Sequence, residues 1–199
     1  MNRLILLLAG IALALSGSVR IFADGFIISR DGRSASVVVS DADWQGVRRA
    51  AADLADDIGK VSGIASALVT QPAESTALPS GRHIIVGTIG RSPVIDSLIA
   101  DGRLDVDSVS GQWESYLTDI IDGNLVIAGS DKRGTIYGIY DISNMIGVSP
   151  WYYWADVPVR HNDTLFYTRG RHIQPSPKVK YRGIFINDEW PSFGGWCVN

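Results

Sequence analysis

The sequence predicts a mixed α/β (α+β) fold, a sheet with helices packed on it, from two observations. Between Ser34 and Thr168 the spacing of apolar residues switches back and forth between 2 and 3.6, which marks strands alternating with helices. The breaks between these segments carry turn and stop chemistry: Gly63 and Gly147 close helical stretches, and Asp122-Gly123 separates two apolar runs.

The elements follow in chain order. Ser36 to Val39 is β-branched and reads as a strand. Asp41-Ala42-Asp43 is placed to cap a helix whose apolar positions Trp44, Val47, Ala51, Leu54, Ile58 and Val61 recur every three or four residues, with Gly63 as its stop. His83 to Gly87 is a short apolar strand. Pro93 suits a first helical position, and Val94, Ile95, Leu98 and Ile99 form that helix's buried side. A hairpin is expected from Trp113 to Ile121 and Asn124 to Ala128, because Asp-Gly tolerates positive φ at both turn positions. Lys132 to Ile146 reads as a third helix with Ile136, Ile139, Tyr140 and Ile146 on one side. Arg169 to Lys180 has no apolar period and holds Gly170, Pro175 and Pro177, so it reads as a linker.

The leader sets an expected compartment. Arg3, the apolar run Leu4 to Leu15 and the small residues Ser16 to Ser18 have the order of a secretory signal peptide, cut after Ser18 or Ala23. The run is shorter than the roughly 20 residues a membrane span needs, so no stable membrane anchor is expected and the protein is predicted to be secreted or periplasmic. A composition of 46% hydrophobic and 20% charged residues suits a folded chain. With net charge −3 and no basic cluster there is no electrostatic footprint for nucleic acid. Cys197 is the single cysteine, so the fold must rest on its apolar core, and no Cys/His spacing suits a metal. No cofactor is expected.

Candidate sites fall in three places. The loop from Gly129 to Gly134 precedes a helix, but it lacks the glycine, lysine and hydroxyl spacing of a phosphate loop, and an Asp at the cap would repel phosphate. Ser130 or Asp131 is expected to cap that helix. Trp151, Tyr152, Tyr153 and Trp154 are expected to be mainly packing residues, whereas Trp190 and Trp196 lie among Pro and Gly where contact with sugar and a plain surface role weigh equally. Finally, the apolar run Tyr181 to Ile186 leads directly into Asn187-Asp188-Glu189, an acidic end to a buried strand of the kind that lines a barrel rim.

Three separated motifs carry a resemblance. Leu125 to Gly138 (LVIAGSDKRGTIYG), Pro150 to Pro158 (PWYYWADVP) and Tyr181 to Glu189 (YRGIFINDE), in that order, resemble glycoside hydrolase family 115. The resemblance implies a parent xylan α-1,2-glucuronidase that removes (4-O-methyl)glucuronic acid with inversion, with a glucuronoxylan-type polysaccharide as partner and a homodimer as one option for its assembly. It divides the chain into a leader (1–23), an α/β accessory domain (24–171), a linker (172–180) and the first strand of a truncated (β/α)8 barrel (181–199). It places Arg182, Asn187, Asp188, Glu189 and Trp190 at a substrate-binding rim, with a structural ion pair as an equal alternative for Arg182. No catalytic residue is expected before residue 199: inverting hydrolysis uses two carboxyls about 6.5–9.5 Å apart across the scissile bond, and neighbours such as Asp188 and Glu189 point to opposite sides of a strand. Residues 181–199 also fall far short of the about 250 residues of a barrel. This chain alone is therefore expected to be inactive. The alternatives are a non-catalytic carbohydrate-binding or interaction module, and the N-terminal domain of another glycosidase family.

Overall fold

A computed structural model describes residues 25–152, 155–185 and 194. The strands are β1 (Phe26–Arg30), β2 (Arg33–Ser34), β3 (Ser36–Ser40), β4 (Leu68–Gln71), β5 (His83–Thr88), β6 (Tyr116–Ile121), β7 (Asn124–Gly129), β8 (Leu165–Tyr167) and β9 (His172–Gln174). The helices are α1 (Gln45–Ser62), α2 (Pro93–Ala100) and α3 (Lys132–Ile146). Six strands form the main sheet in the order β4-β3-β5-β7-β6-β9, and β2-β1-β8 form a smaller one.

In the main sheet β4, β3, β5 and β7 run parallel, and β6 and β9 are antiparallel. The period of 2 explains why its central strands are apolar throughout rather than alternating. Val37, Val39, Ile84, Val86, Leu125 and Ile127 face the core that includes α1 and α3, while Val38, Ile85, Val126 and Ala128 face the core that includes α2. Both faces are covered, as a parallel sheet requires. Each fully buried Val or Ile contributes about 1.5–3 kcal/mol relative to exposure.

Local chemistry sets the boundaries. Gly63 ends α1 at φ 70° with its N–H on the Gly59 carbonyl, and Gly147 ends α3 at φ 117°. Asp131 caps α3 by accepting the Gly134 N–H at 2.7 Å. Pro93 opens α2. In the β6–β7 hairpin Asp122 and Gly123 take φ 48° and 76°, the paired positive values that Asp-Gly was expected to supply.

Several expectations change. Trp44 is not a core-facing helical residue: it is the N-cap of α1 and 40% exposed. Tyr140 is also exposed, where it lies against Asp53. His172–Gln174, read as the start of a linker, is strand β9, paired with β6. Residues 181–185 are not in a strand, and Tyr181, Ile184 and Phe185 are exposed; the rest of the segment expected to open a barrel, apart from Gly194, lies outside the described residues. Trp151 is exposed, and Tyr152 packs against the α1/α3 core. The leader, Tyr153, Trp154, Trp190, Trp196 and Cys197 lie outside the described residues.

The small sheet is pinned to the main one by Tyr167 of β8. Its ring is fully buried, and its hydroxyl pairs with Thr118 of β6 and donates to the Gly170 carbonyl at 2.8 Å. Because Thr118 and Gly170 flank the same oxygen, β8 cannot slide without breaking a buried hydrogen bond.

Candidate functional site

Two clusters gather the polar chemistry, and both lie where the parallel strands end. β3, β5 and β7 deliver Asp43, Thr88 and Gly129 to one edge of the sheet. Asp43 is buried, and both of its oxygens are in use. Its Oδ2 accepts the Thr88 N–H at 2.7 Å, and its Oδ1 accepts the Thr88 hydroxyl at 2.8 Å and the Trp44 N–H at 2.7 Å. The Thr88 hydroxyl gives its one hydrogen to Asp43, and the Thr135 hydroxyl of α3, 2.8 Å from it and 2.9 Å from the Asp131 carbonyl, has one hydrogen to share between those two acceptors. This network ties the ends of β3 and β5 to the first turn of α3.

Glycines permit that close approach. A Cβ on Gly129 would lie 2.2 Å from the Thr135 nitrogen, and one on Gly134 would lie 2.1 Å from the Ser115 carbonyl oxygen. A Cβ on Gly138 would meet Ile127 at 2.8 Å and the Tyr116 ring at 2.9 Å. Three glycines of the Leu125–Gly138 motif therefore have one physical cause, the seating of α3 on β6 and β7.

Above this edge opens a cleft of about 450 Å³ lined by Trp44, Ile89, Gly90, Arg91, Asp131 and Lys132, among others. The Arg91 guanidinium lies over the Trp44 ring at 4.0 Å, and the Lys132 ammonium is 6.0 Å from the same ring.

The second cluster contains Arg182. Its Nη2 pairs with the buried carboxylate of Glu114, its Nη1 donates to the Val179 carbonyl, and the guanidinium lies 5.7 Å from the Trp113 ring. Arg133 of α3 reaches the other Glu114 oxygen at 3.1 Å. The Glu114 contact holds the Arg182 pKa above its ordinary value. Ser176 donates to the Trp113 carbonyl at 2.6 Å, and Ser115 donates to the Gln174 carbonyl at 2.9 Å. The exit segment is thus laid along the start of β6. Arg182 occupies the ion pair that the sequence left open as one of its two roles. Asn187, Asp188, Glu189 and Trp190, the other rim candidates, lie outside the described residues. Glu114 and Trp113 were missed because Glu114 lies 68 positions before Arg182. Among the described residues no group of His, Cys, Asp and Glu is arranged to hold a metal ion.

A solved structure titled as a family GH115 4-O-methyl-α-glucuronidase with specificity for decorated arabinogalactans aligns with this fold at TM-score 0.64 and 34% identity. The alignment covers 82% of this chain and 20% of that one. The chain is similar to the N-terminal portion of a family 115 glycoside hydrolase. The chain spans about a fifth of that relative's length. A second solved structure, CpGH84D, aligns over 60% of this chain and 18% of its own at 11% identity and TM-score 0.41, which carries no argument. No family model and no curated protein sequence matches the chain. In this chain the exit segment is fastened to the sheet domain by Arg182 on Glu114 and by Ser176 on the Trp113 carbonyl.

Proposed function

We propose that this chain is the N-terminal, non-catalytic part of an exported glycoside hydrolase that removes (4-O-methyl)glucuronic acid from a polysaccharide with inversion of configuration. The observation that carries the reading is the 34% identity over 82% of the chain to a family 115 enzyme. Physical grounds support the division of labour. Hydrolysis with inversion needs two carboxyls separated widely enough to admit both the bond and a water. Among the described residues the buried carboxylates of the sheet domain have other work: Asp43 accepts three hydrogen bonds from the protein, Asp57 pairs with Lys60 at 2.9 Å, and Glu114 is held by two arginines.

In this reading the sheet domain supports a barrel that begins near Tyr181, and the ion pair of Arg182 with Glu114 sets the direction in which the chain leaves it. Asn187, Asp188, Glu189 and Trp190 then contribute to the sugar-binding rim. Export follows from the leader. The backbone of the polysaccharide is glucuronoxylan by the motif resemblance, while the solved relative is titled for decorated arabinogalactans, so both belong in the test.

The test is sugar release. The purified chain and an in-frame extension carrying the barrel are incubated with glucuronoxylan and with decorated arabinogalactan. The extension should release (4-O-methyl)glucuronic acid from one of them and the chain alone from neither. Release by the chain alone would defeat the proposed division, and an inactive but folded extension would defeat the activity.

A further inference from the structure

The cleft above the carboxyl edge of the main sheet has no part in the function just proposed, and three features set it apart. Its position is the first. β3 continues through α1 to β4 on one side, whereas β5 continues through α2 toward β6 and β7 on the other. The loops after β3 and β5 therefore part company here, and in open parallel sheets the crevice outside the carboxyl ends at such a reversal is where ligands bind. Trp44 comes from the first loop, and Ile89 to Arg91 from the second.

The second feature is an indole in the wrong place for packing. Trp44 holds an N-cap position, where a small polar side chain ordinarily satisfies the helix N–H groups, and makes no side-chain cap bond. It is 40% exposed beside the cleft.

The third is the state of the charges. Every acid near the cleft already accepts protein donors: Asp43 as described, Asp131 from the Gly134 and Glu114 N–H groups, and Asp96 from the Gly90 N–H at 2.8 Å. Arg133 is paired with Glu114. Arg91 and Lys132 have no carboxylate partner among the described residues, and each meets the Trp44 ring. A guanidinium over an indole uses its face and leaves its N–H edge open, the geometry that suits bidentate pairing with a carboxylate.

We propose that this cleft binds a compact ring compound carrying one carboxylate, the carboxylate held by Arg91 and Lys132 and the ring lying against Trp44 and Ile89. A volume of about 450 Å³ is in the range of small-molecule sites, about 300–1,000 Å³. Phosphate is disfavoured: the N-terminus of α3 is already occupied by the Asp131 carboxylate, which would repel a dianion. Neutral sugars would leave both cations without a partner. The chemistry is shared by two sources, a sugar acid and an aromatic acid. The inference stands on the cleft alone, so its failure leaves the proposed hydrolase reading intact, and that reading is tested by sugar release.

Calorimetric titration and ligand-observed NMR on the full chain, with glucuronate, benzoate, glucose and inorganic phosphate as probes, test it. At least one carboxylate should bind about tenfold or more tightly than glucose and phosphate, and weaken as salt is raised. Glucuronate as the tighter carboxylate identifies a sugar acid, and benzoate identifies an aromatic acid. Arg91→Gln and, independently, Lys132→Gln should each weaken that carboxylate about tenfold or more, the size of one charge-assisted hydrogen bond. Trp44→Ala should weaken the ring compound but not acetate. Arg82→Gln, at the opposite, amino end of β5, should change nothing. Circular dichroism confirms that each variant is folded. Glucose or phosphate binding as tightly as both carboxylates, no binding of either carboxylate, or full carboxylate affinity in folded Arg91→Gln and Lys132→Gln would overturn the proposal.

Discussion

Replacing Asp43 with asparagine removes one oxygen from the network that joins β3, β5 and α3. In the better orientation the amide oxygen keeps the Thr88 hydroxyl and the Trp44 N–H, and the NH2 group then faces the Thr88 N–H across what was a 2.7 Å hydrogen bond. Two donors meet, and a buried N–H loses its acceptor. An unsatisfied buried group costs about 1–3 kcal/mol, and the two surviving bonds weaken from charge-assisted to neutral, roughly 0.5–1 kcal/mol each. The sum is about 2–5 kcal/mol. At about 2–4 °C per kcal/mol for a domain of this size, the melting temperature should fall by roughly 4–20 °C. Urea denaturation and calorimetry of Asp43→Asn against the parent chain would measure it, with the exposed Asp41→Asn as a control expected to stay within about 0.5 kcal/mol. A loss below about 1 kcal/mol would show that the Thr88 N–H finds another acceptor, and the network would not be what holds the edge together.

Gly134→Ala should destabilise the fold by about 1–3 kcal/mol in denaturant titration despite alanine's better helix propensity, because the new Cβ meets the Ser115 carbonyl oxygen at 2.1 Å and neither backbone can rotate away. Arg182→Ala should shift global stability by less than about 1 kcal/mol, since its side chain is partly exposed, yet it should speed limited proteolysis within residues 175–185 by freeing the exit segment. Burial, with the neighbouring Asp141 carboxylate second, holds the Tyr116 phenol above its ordinary value near 10. The folded state therefore binds that proton more tightly than the unfolded chain does. The resulting stability is complete below about pH 10 and is lost as pH rises beyond it. A pH series of melting temperatures should show this alkaline decline, and Tyr116→Phe should make it shallower.

Most of the main sheet could be read from the sequence because its signals are local. β3, β5, the β6–β7 hairpin and the three helices among the described residues coincide with a periodic apolar run bounded by a glycine, a proline or an Asp-Gly pair. β4 and β9 carry no such signal, since most of their residues are exposed at the sheet's two edges and no apolar face needs to be written into them. β1 and β8 pair with each other across more than a hundred residues, which a local pattern does not record. Trp44 misled for a geometric reason. Its position fits the apolar period of α1, but the helix begins one residue later, so the side chain leaves the core and joins the cleft. The site was less legible than the fold for the same reason that Glu114 was invisible as a partner for Arg182: ion pairs and clefts are assembled from separate loops. The glycines at 129, 134 and 138 do record a close approach of helix to sheet in their residue type, but from the sequence Gly129 and Gly134 read only as the ends of a loop.

The proposed role, support of a glycoside hydrolase whose catalytic carboxyls lie beyond the sheet domain, is open to direct test. The most direct measurement is the reading frame past codon 199 together with the activity of what it encodes. Further alternating strands and helices are expected there, with a product that frees glucuronic acid from polysaccharide only when they are present. An in-frame stop at that point, or sugar release by residues 1–199 alone, would contradict it.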